Sequence, residues 1–156
     1  MNDSTTHLKD RITSDMKDAM RAKATARLST IRLLLAAIKQ REVDERKTLA
    51  DADIVAVIDK MVKQRKDSIT QFVAGNRADL ADAERAELVI LQSYLPSQLT
   101  DAEIDAAIDA EMAAARAAGA AGPALIGKVM AGLKPRLAGR ADMGKVSGTV
   151  KAKLAG

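Results

Sequence analysis

The sequence contains no cysteine or tryptophan and only one histidine, and each scarcity excludes a class of function. Without cysteine there is no disulfide, no thiolate metal site and no cysteine nucleophile. One histidine, His7, is too few for a histidine-based zinc site or a serine–histidine–aspartate triad. Phe72 and Tyr94 are the only aromatic residues. We therefore predict no catalytic residue, no cofactor-binding residue and no metal ligand in these 156 residues.

Long hydrophobic runs are also missing from the sequence. No stretch approaches the roughly 20 consecutive apolar residues that are needed to cross a membrane. Residues 1–6 have neither the basic region nor the apolar region of a signal peptide. We therefore expect a cytoplasmic protein with no membrane partner and no metal.

Two segments match the glycine spacing of a phosphate-binding loop without meeting its other requirements. Gly122–Lys128 and Gly139–Lys145 both have the pattern G-x-x-x-x-G-K. In each case valine follows the lysine, where a hydroxyl group is needed to reach Mg²⁺, and no β-strand is predicted ahead of the loop. We interpret these glycines as turns or as points where helices approach closely, and we predict no cofactor.

Apolar residues recur at helical spacing along nearly the whole chain, and no segment alternates as a strand would. Capping residues mark the starts of three predicted helices. Thr5 or Thr6 caps the first helix, Thr100 and Glu103 form a capping box, and Asp142 caps the last helix. The sequence therefore predicts an all-α fold.

Helix-stopping residues mark the ends of three predicted helices. Gly75-Asn76 ends the third helix, because both residues tolerate the left-handed conformation that follows a helix. Pro96 ends the fourth helix, since the residue before a proline disfavours the α region. Lys134-Pro135 is predicted to end the sixth helix for the same reason.

The segment Leu95-Pro96-Ser97 is the predicted domain boundary. It separates an N-terminal helical bundle or hairpin, residues 1–95, from a smaller C-terminal three-helix domain, residues 96–156. Charge is unevenly spread beyond the boundary: residues 97–115 contain five acidic and no basic residues, whereas residues 116–156 contain eight basic and one acidic. The end of the chain therefore carries concentrated positive charge.

Two interpretations are open for the basic residues after position 115: solvated helix faces, or a surface that contacts nucleic acid. Because so many lie in one small helical unit, we predict that they converge on one positive surface that contacts phosphates. Unpaired bases are normally bound on aromatic platforms, which this segment lacks, so structured RNA fits better than a single strand. Residues 19–41, with six basic residues and no acid, are a second candidate surface. The predicted RNA contacts are Lys128, Lys134, Arg136, Arg140, Lys145 and Lys151.

Four charged residues fall on the apolar sides of their predicted helices. Arg27 lies in the apolar stripe of the second helix, Arg65 in that of the third, and Glu84 and Glu87 in that of the fourth. Because an isolated buried ion is very costly, inward-facing charges are expected to be paired. We predict a structural ion cluster of these four residues that joins the helices, with a functional polar site as the alternative.

Several short motifs follow one another along the chain, including Arg32–Lys39, Gln64-Arg65, Tyr94-Leu95-Pro96, Gly127–Met130 and Gly139–Asp142. Their order and spacing resemble the YqeY family. The resemblance implies an all-helical protein with a larger N-terminal and a smaller C-terminal domain. That family is similar to the tail of the GatB subunit of the tRNA-dependent amidotransferase, which helps to hold tRNA. The implied partner is therefore tRNA or another structured RNA.

Three functions are compatible with these features. The first, which we favour, is a non-catalytic module that binds tRNA or another structured RNA through the basic C-terminal unit. The second is an adaptor that docks an amidotransferase or an aminoacyl-tRNA synthetase through the acidic stretch Asp101–Glu111 and the exposed apolar side of the last helix. The third, a carbon–nitrogen ligase with glutamine as amide donor, is implied by the family name alone, because nothing here resembles the amidotransferase catalytic domain.

Overall fold

The chain folds into α-helices joined by short connections. The computed structural model describes residues 7–155, and in that range it contains no strand, which confirms the all-α fold class. The predicted caps Thr5 and Thr6, and the segment 1–6 assessed for a signal peptide, lie outside the described residues. The helices are α1 (His7–Arg21), α2 (Thr25–Glu45), α3 (Asp51–Ala74), α4 (Ala78–Gln92), α5 (Asp101–Ala117), α6 (Pro123–Leu137) and α7 (Met143–Ala155).

The chain divides into two compact units, the first ending at Leu95 and the second beginning at Pro96. In the first unit, α1 to α4 each bury one stripe of side chains in a shared core. Apolar residues spaced three or four apart lie on one side of a helix, which is why these stripes form. The fully buried side chains include Ile12, Ile31, Leu34, Ile58 and Leu91.

Three connections in the first unit contain a residue other than glycine in the left-handed conformation. Lys23, with φ of 55°, separates α1 from α2, and Arg46, with φ of 54°, caps α2. The predicted stop of α3 at Gly75-Asn76 is confirmed, and the left-handed residue there is Asn76, with φ of 56°. Asparagine tolerates this conformation better than most residues do.

Tyr94 fastens the end of the first unit to α1. Its ring is buried, and its hydroxyl group donates a hydrogen bond to Oδ2 of Asp15 at 2.6 Å. The guanidinium group of Arg11 lies 5.0 Å from the ring centroid, within range of a cation–π contact. Burial and, next, the hydrogen bond to Asp15 raise the pKa of Tyr94 to about 12. The hydroxyl group is therefore held in its protonated, donating form.

The second unit contains α5, α6 and α7 around a core of its own. The predicted capping box of α5 is confirmed: the Thr100 hydroxyl accepts from the Glu103 amide at 3.1 Å, and the Glu103 carboxylate accepts from the Thr100 amide at 3.0 Å. The predicted cap of α7 is also confirmed, because Oδ1 of Asp142 accepts from the Gly144 amide at 2.9 Å. The most buried side chains of this core are Ile108, Val129, Leu133, Leu137, Val146 and Val150.

One predicted helix end is wrong. α6 does not stop at Lys134-Pro135 but continues through Pro135 to Leu137. Proline removes one helical hydrogen bond, but Leu137 is only 1% exposed and Leu133 is fully buried, so packing holds the last turn of α6 on the core. The amide of Ala138 still donates to the Lys134 carbonyl at 3.0 Å.

Candidate nucleic-acid interface

Two of the basic residues near the end of the chain are neutralised by acidic residues of α5. Nη1 of Arg136 lies 3.0 Å from Oε1 of Glu111, and Nζ of Lys153 lies 2.8 Å from Oδ1 of Asp109. The hydrogen bond with Asp109 raises the pKa of Lys153 above its ordinary value. Arg136, one of the predicted RNA contacts, forms this ion pair, which already neutralises its charge, and its contact with RNA stays a prediction. We therefore leave Arg136 out of the candidate surface.

Arg140 serves a local structural contact. Its Nε donates to the Ser97 carbonyl at 2.9 Å, and its own carbonyl accepts from the Leu99 amide at 2.9 Å. Next to it, the side-chain amide of Gln98 donates to the Gly139 carbonyl at 2.7 Å. These bonds hold the segment before α5 against the connection between α6 and α7. Arg140 was also predicted to contact RNA, and that contact stays a prediction beside this local structural role.

The other four predicted contacts are lysines at the surface of α6 and α7. Each is exposed and has no ion-pair partner within the described part of the chain. Lys145 lines a groove with three acids, Asp101, Asp105 and Asp142, but forms an ion pair with none of them. We call these four residues the lysine surface: Lys128, Lys134, Lys145 and Lys151.

Helix geometry separates part of the lysine surface from the acids of α5. Successive residues are about 100° apart around an α-helix, so Lys134 lies about 160° from Arg136, two residues later. The same spacing puts Lys151 about 160° from Lys153. Since Arg136 and Lys153 contact α5, Lys134 and Lys151 lie on sides of their helices that face away from α5. The single positive surface predicted from the sequence is thus divided into neutralised and exposed cations.

Gly132 leaves room for the Glu111 carboxylate, and this contact gives a testable difference between two glycines of α6. A Cβ atom on Gly132 would overlap Oε2 of Glu111, whereas one on Gly127 would meet nothing within 4 Å. Replacing an exposed helical glycine by alanine stabilises a helix by about 1 kcal/mol. We expect Gly127→Ala to raise the free energy of unfolding by that amount in urea denaturation. Gly132→Ala should give a clearly smaller gain, because Glu111 must leave Arg136.

The matched control for this prediction is Glu111→Ala. In that background the side chain that obstructs Gly132→Ala is gone, so the two glycine substitutions should stabilise the protein equally. Equal stabilisation already in the wild-type background would contradict the contact between Gly132 and Glu111.

In the first unit, the predicted ion cluster forms with three of its four members. Nε of Arg65 on α3 lies 2.7 Å from Oε2 of Glu87 and 3.2 Å from Oε2 of Glu84, both on α4. The side chains are partly buried, with exposures of 18% for Arg65, 23% for Glu84 and 32% for Glu87. Arg27 is not part of the cluster. Its side chain is exposed, and its Nη2 lies 3.8 Å from Oδ2 of Asp15 on α1. The cluster joins α3 to α4 and carries a net negative charge.

The second basic segment, residues 19–41, is partly neutralised as well. Arg21 pairs with Asp18, Arg27 with Asp15, and Arg41 with Glu45 and Asp53. Three further cations of this segment are exposed and have no acidic partner within residues 7–155. They are Lys23, Arg32 and Lys39.

The described residues contain no arrangement that suggests metal binding. Across residues 7–155, no three histidine, aspartate or glutamate side chains come together as ligands for an ion. None of the described helices is both long and apolar enough to span a membrane. Lys128 and Lys145, the lysines of the two glycine-spaced segments, both lie inside helices rather than in phosphate-binding loops.

These features define a class of all-helical protein with two compact units, the second of which bears exposed lysines on two adjacent helices. The chain belongs to the YqeY family: the family model described as Yqey-like protein matches residues 9–154. The family resemblance that the sequence motifs indicated is thereby confirmed.

Curated relatives of the chain are fungal proteins named altered inheritance of mitochondria protein 41, mitochondrial. The chain is 42% identical to the protein of Vanderwaltozyma polyspora over 84 residues, which cover 53% of this chain and 45% of that protein. It is 42% identical to the protein of Lachancea thermotolerans over 94 residues, which cover 60% and 48%. It is 43% identical to the protein of Kluyveromyces lactis over 81 residues, which cover 51% of this chain and 44% of that protein. The chain therefore spans less than half the length of these relatives.

The comparison corrects one expectation from the sequence. We expected a cytoplasmic location because residues 1–6 carry no sign of a signal peptide. That expectation is wrong, since the matched relatives are named as mitochondrial proteins. The absence of secretory signal-peptide features gives no information about other targeting routes.

Proposed function

We propose that the second unit binds the phosphate backbone of a structured RNA through the lysine surface, without catalysing a reaction. The observation that carries this proposal is the set of four exposed lysines on α6 and α7, which have no acidic partner within the described residues. The ammonium group of lysine is a compact point charge with three donors, which suits contact with phosphate oxygens. Neutralising phosphates releases counterions and so supplies affinity without sequence specificity.

The composition of the second unit limits the kind of RNA. It contains no aromatic residue on which an unpaired base can stack. Recognition by charge and shape suits a folded backbone with closely spaced phosphates. The similarity of the YqeY family to the GatB tail makes tRNA the natural first probe.

The geometry favours RNA binding over the adaptor function. The acidic residues proposed to dock a protein partner are partly engaged inside the second unit, since Glu111 binds Arg136 and Asp105 and Asp109 lie beside Lys153. A partner would have to compete with these contacts. The lysines of the surface have no such competitor among the described residues.

The test is the salt dependence of tRNA binding by the full chain, measured by fluorescence anisotropy. We expect log Kobs to fall linearly with log salt concentration, with a slope of about −0.7 to −0.9 per phosphate contacted. Replacing Lys128, Lys134, Lys145 and Lys151 together by alanine should reduce the magnitude of that slope by about 3, since four contacts are lost.

The matched control removes the same charge from the first unit. Lys17, Lys60, Lys63 and Lys66 are exposed and have no ion-pair partner within the described chain, so replacing all four by alanine changes the net charge equally. This control should keep the wild-type slope. The proposal fails if the wild-type chain shows no salt-dependent affinity for tRNA, or if the two quadruple variants behave alike.

A further inference from the structure

The two helices that carry the lysine surface lie in segments with a related sequence, identical at seven of 13 aligned positions. Residues 127–139 and residues 144–156 align without a gap at an offset of 17 positions. Of the six differing positions, two are conservative, since Leu133 corresponds to Val150 and Arg136 to Lys153. The identical pairs are Gly127/Gly144, Lys128/Lys145, Val129/Val146, Lys134/Lys151, Leu137/Leu154, Ala138/Ala155 and Gly139/Gly156.

Corresponding apolar positions have the same role in the structure. Val129 and Val146 are both buried, with exposures of 0% and 1%. Leu133 and Val150 are also both fully buried. The repeat is therefore present in the structure as well as in the sequence. α6 and α7 pack corresponding sides against one core.

Corresponding basic positions also have the same role. Arg136 and Lys153 each form an ion pair with an acid of α5, at 3.0 Å with Glu111 and at 2.8 Å with Asp109. Glu111 and Asp109 are two residues apart, hence about 160° apart around α5. One flank of α5 thus neutralises α6, and the opposite flank neutralises α7.

From this repeat we infer that Lys134 and Lys151 are equivalent contacts, each binding one phosphate of the same RNA backbone. Both are exposed, have no ion-pair partner among residues 7–155, and lie about 160° around their helices from the cation that contacts α5. Two copies of one binding element suit a ligand that is itself repetitive, as a phosphate backbone is. This inference rests on the proposed RNA binding and adds to it the equivalence of the two helices.

Equivalence has a quantitative consequence for binding. Each lysine should account for one phosphate contact, or about 0.7 to 0.9 in the salt slope. At 0.1 M salt, loss of one such contact weakens binding about sixfold. Losing both should give the product of the two effects, because separate contacts are independent.

The experiment compares Lys134→Ala, Lys151→Ala and the double variant in the full chain, with tRNA as the probe. We expect the two single variants to lower the magnitude of the salt slope equally and the double variant to lower it twice as much. Lys66→Ala, at an exposed position of α3, is the control and should leave the slope unchanged. Circular dichroism checks that each variant keeps its helical content.

The outcomes distinguish this inference from the proposed function. If the wild-type chain binds tRNA with a salt-dependent affinity but only one single variant changes the slope, the equivalence is wrong and the proposed function stands. A double variant that matches one single variant would equally overturn it, because the two lysines would then share one contact. A wild-type chain without affinity for tRNA overturns both.

Discussion

Replacing Tyr94 by alanine is expected to lower the free energy of unfolding of the first unit by about 3–5 kcal/mol. The side chain is 3% exposed, so its removal opens a cavity in the core of α1 to α4. It also removes the hydrogen bond of 2.6 Å to Asp15 and the ring beneath Arg11. Urea denaturation of the full chain, followed by circular dichroism, measures the change.

Tyr94→Phe separates the hydrogen bond from the packing. Phenylalanine keeps the ring, so this variant should lose only about 1.5 kcal/mol, the low end for a bond to a charged group, because Asp15 is partly exposed. Losses of equal size for the alanine and phenylalanine variants would contradict the buried position of the ring. No loss for Tyr94→Phe would contradict the hydrogen bond.

The raised pKa of Tyr94 adds a pH dependence to the same comparison. Its folded-state pKa of about 12 lies above the ordinary value of 10.0, so the folded state binds this proton more tightly. The stabilisation is fully present below pH 10 and is lost as the pH rises from 10 towards 12. The stability difference between wild type and Tyr94→Phe should therefore shrink over that range. A constant difference would contradict the burial of the hydroxyl group.

Replacing Arg65 by methionine is expected to destabilise the first unit by about 2–3 kcal/mol. Breaking a fully buried ion pair costs about 3–5 kcal/mol, and the cost here is lower because the Arg65 side chain is 18% exposed. The substitution leaves two carboxylates, Glu84 and Glu87, beside each other without their cation. Oε2 of Glu84, a buried atom, would be left without its charged neighbour.

A second substitution tests whether charge causes this loss. Glu84→Gln in the Arg65→Met background should recover part of the stability, because it removes one of the two facing charges. The same Glu84→Gln change alone should leave the free energy of unfolding nearly unchanged, since Arg65 still pairs with Glu87 at 2.7 Å. Purely additive effects would contradict a coupled cluster, because contacting residues show non-additive energies. Arg27→Ala is the control. It should lower the free energy of unfolding less than Arg65→Met does, because Arg27 is exposed.

Local sequence signals predicted much of the fold. The capping box of Thr100 and Glu103 and the cap at Asp142 are patterns of residues within one helical turn. Predicting them therefore needs no knowledge of the tertiary structure. The end of α6 was missed because burial of Leu137 outweighs the local effect of Pro135, and burial is a property of the whole second unit. Sequence patterns within one helical turn therefore predicted helix starts and ends better than features that depend on packing between helices.

The candidate site was predicted less completely than the fold. The sequence identified the basic segment, but it could not show that Arg136 lies against Glu111, because these residues are 25 positions apart. The repeat of 127–139 in 144–156 could have provided a hint, since it places Arg136 and Lys153 at corresponding positions. Arg27 was assigned to the wrong cluster because the helical stripe alone does not show which neighbouring helix it faces.

The most direct test of the account is lysine acetylation footprinting of the full chain with and without tRNA, read out by mass spectrometry. If the second unit contacts the RNA backbone, Lys128, Lys134, Lys145 and Lys151 should become protected when tRNA is added. Lys60, Lys63 and Lys66 on α3 should be acetylated equally in both conditions. Unchanged acetylation of the four lysines in the presence of bound tRNA, or protection confined to the first unit, would contradict the proposed function.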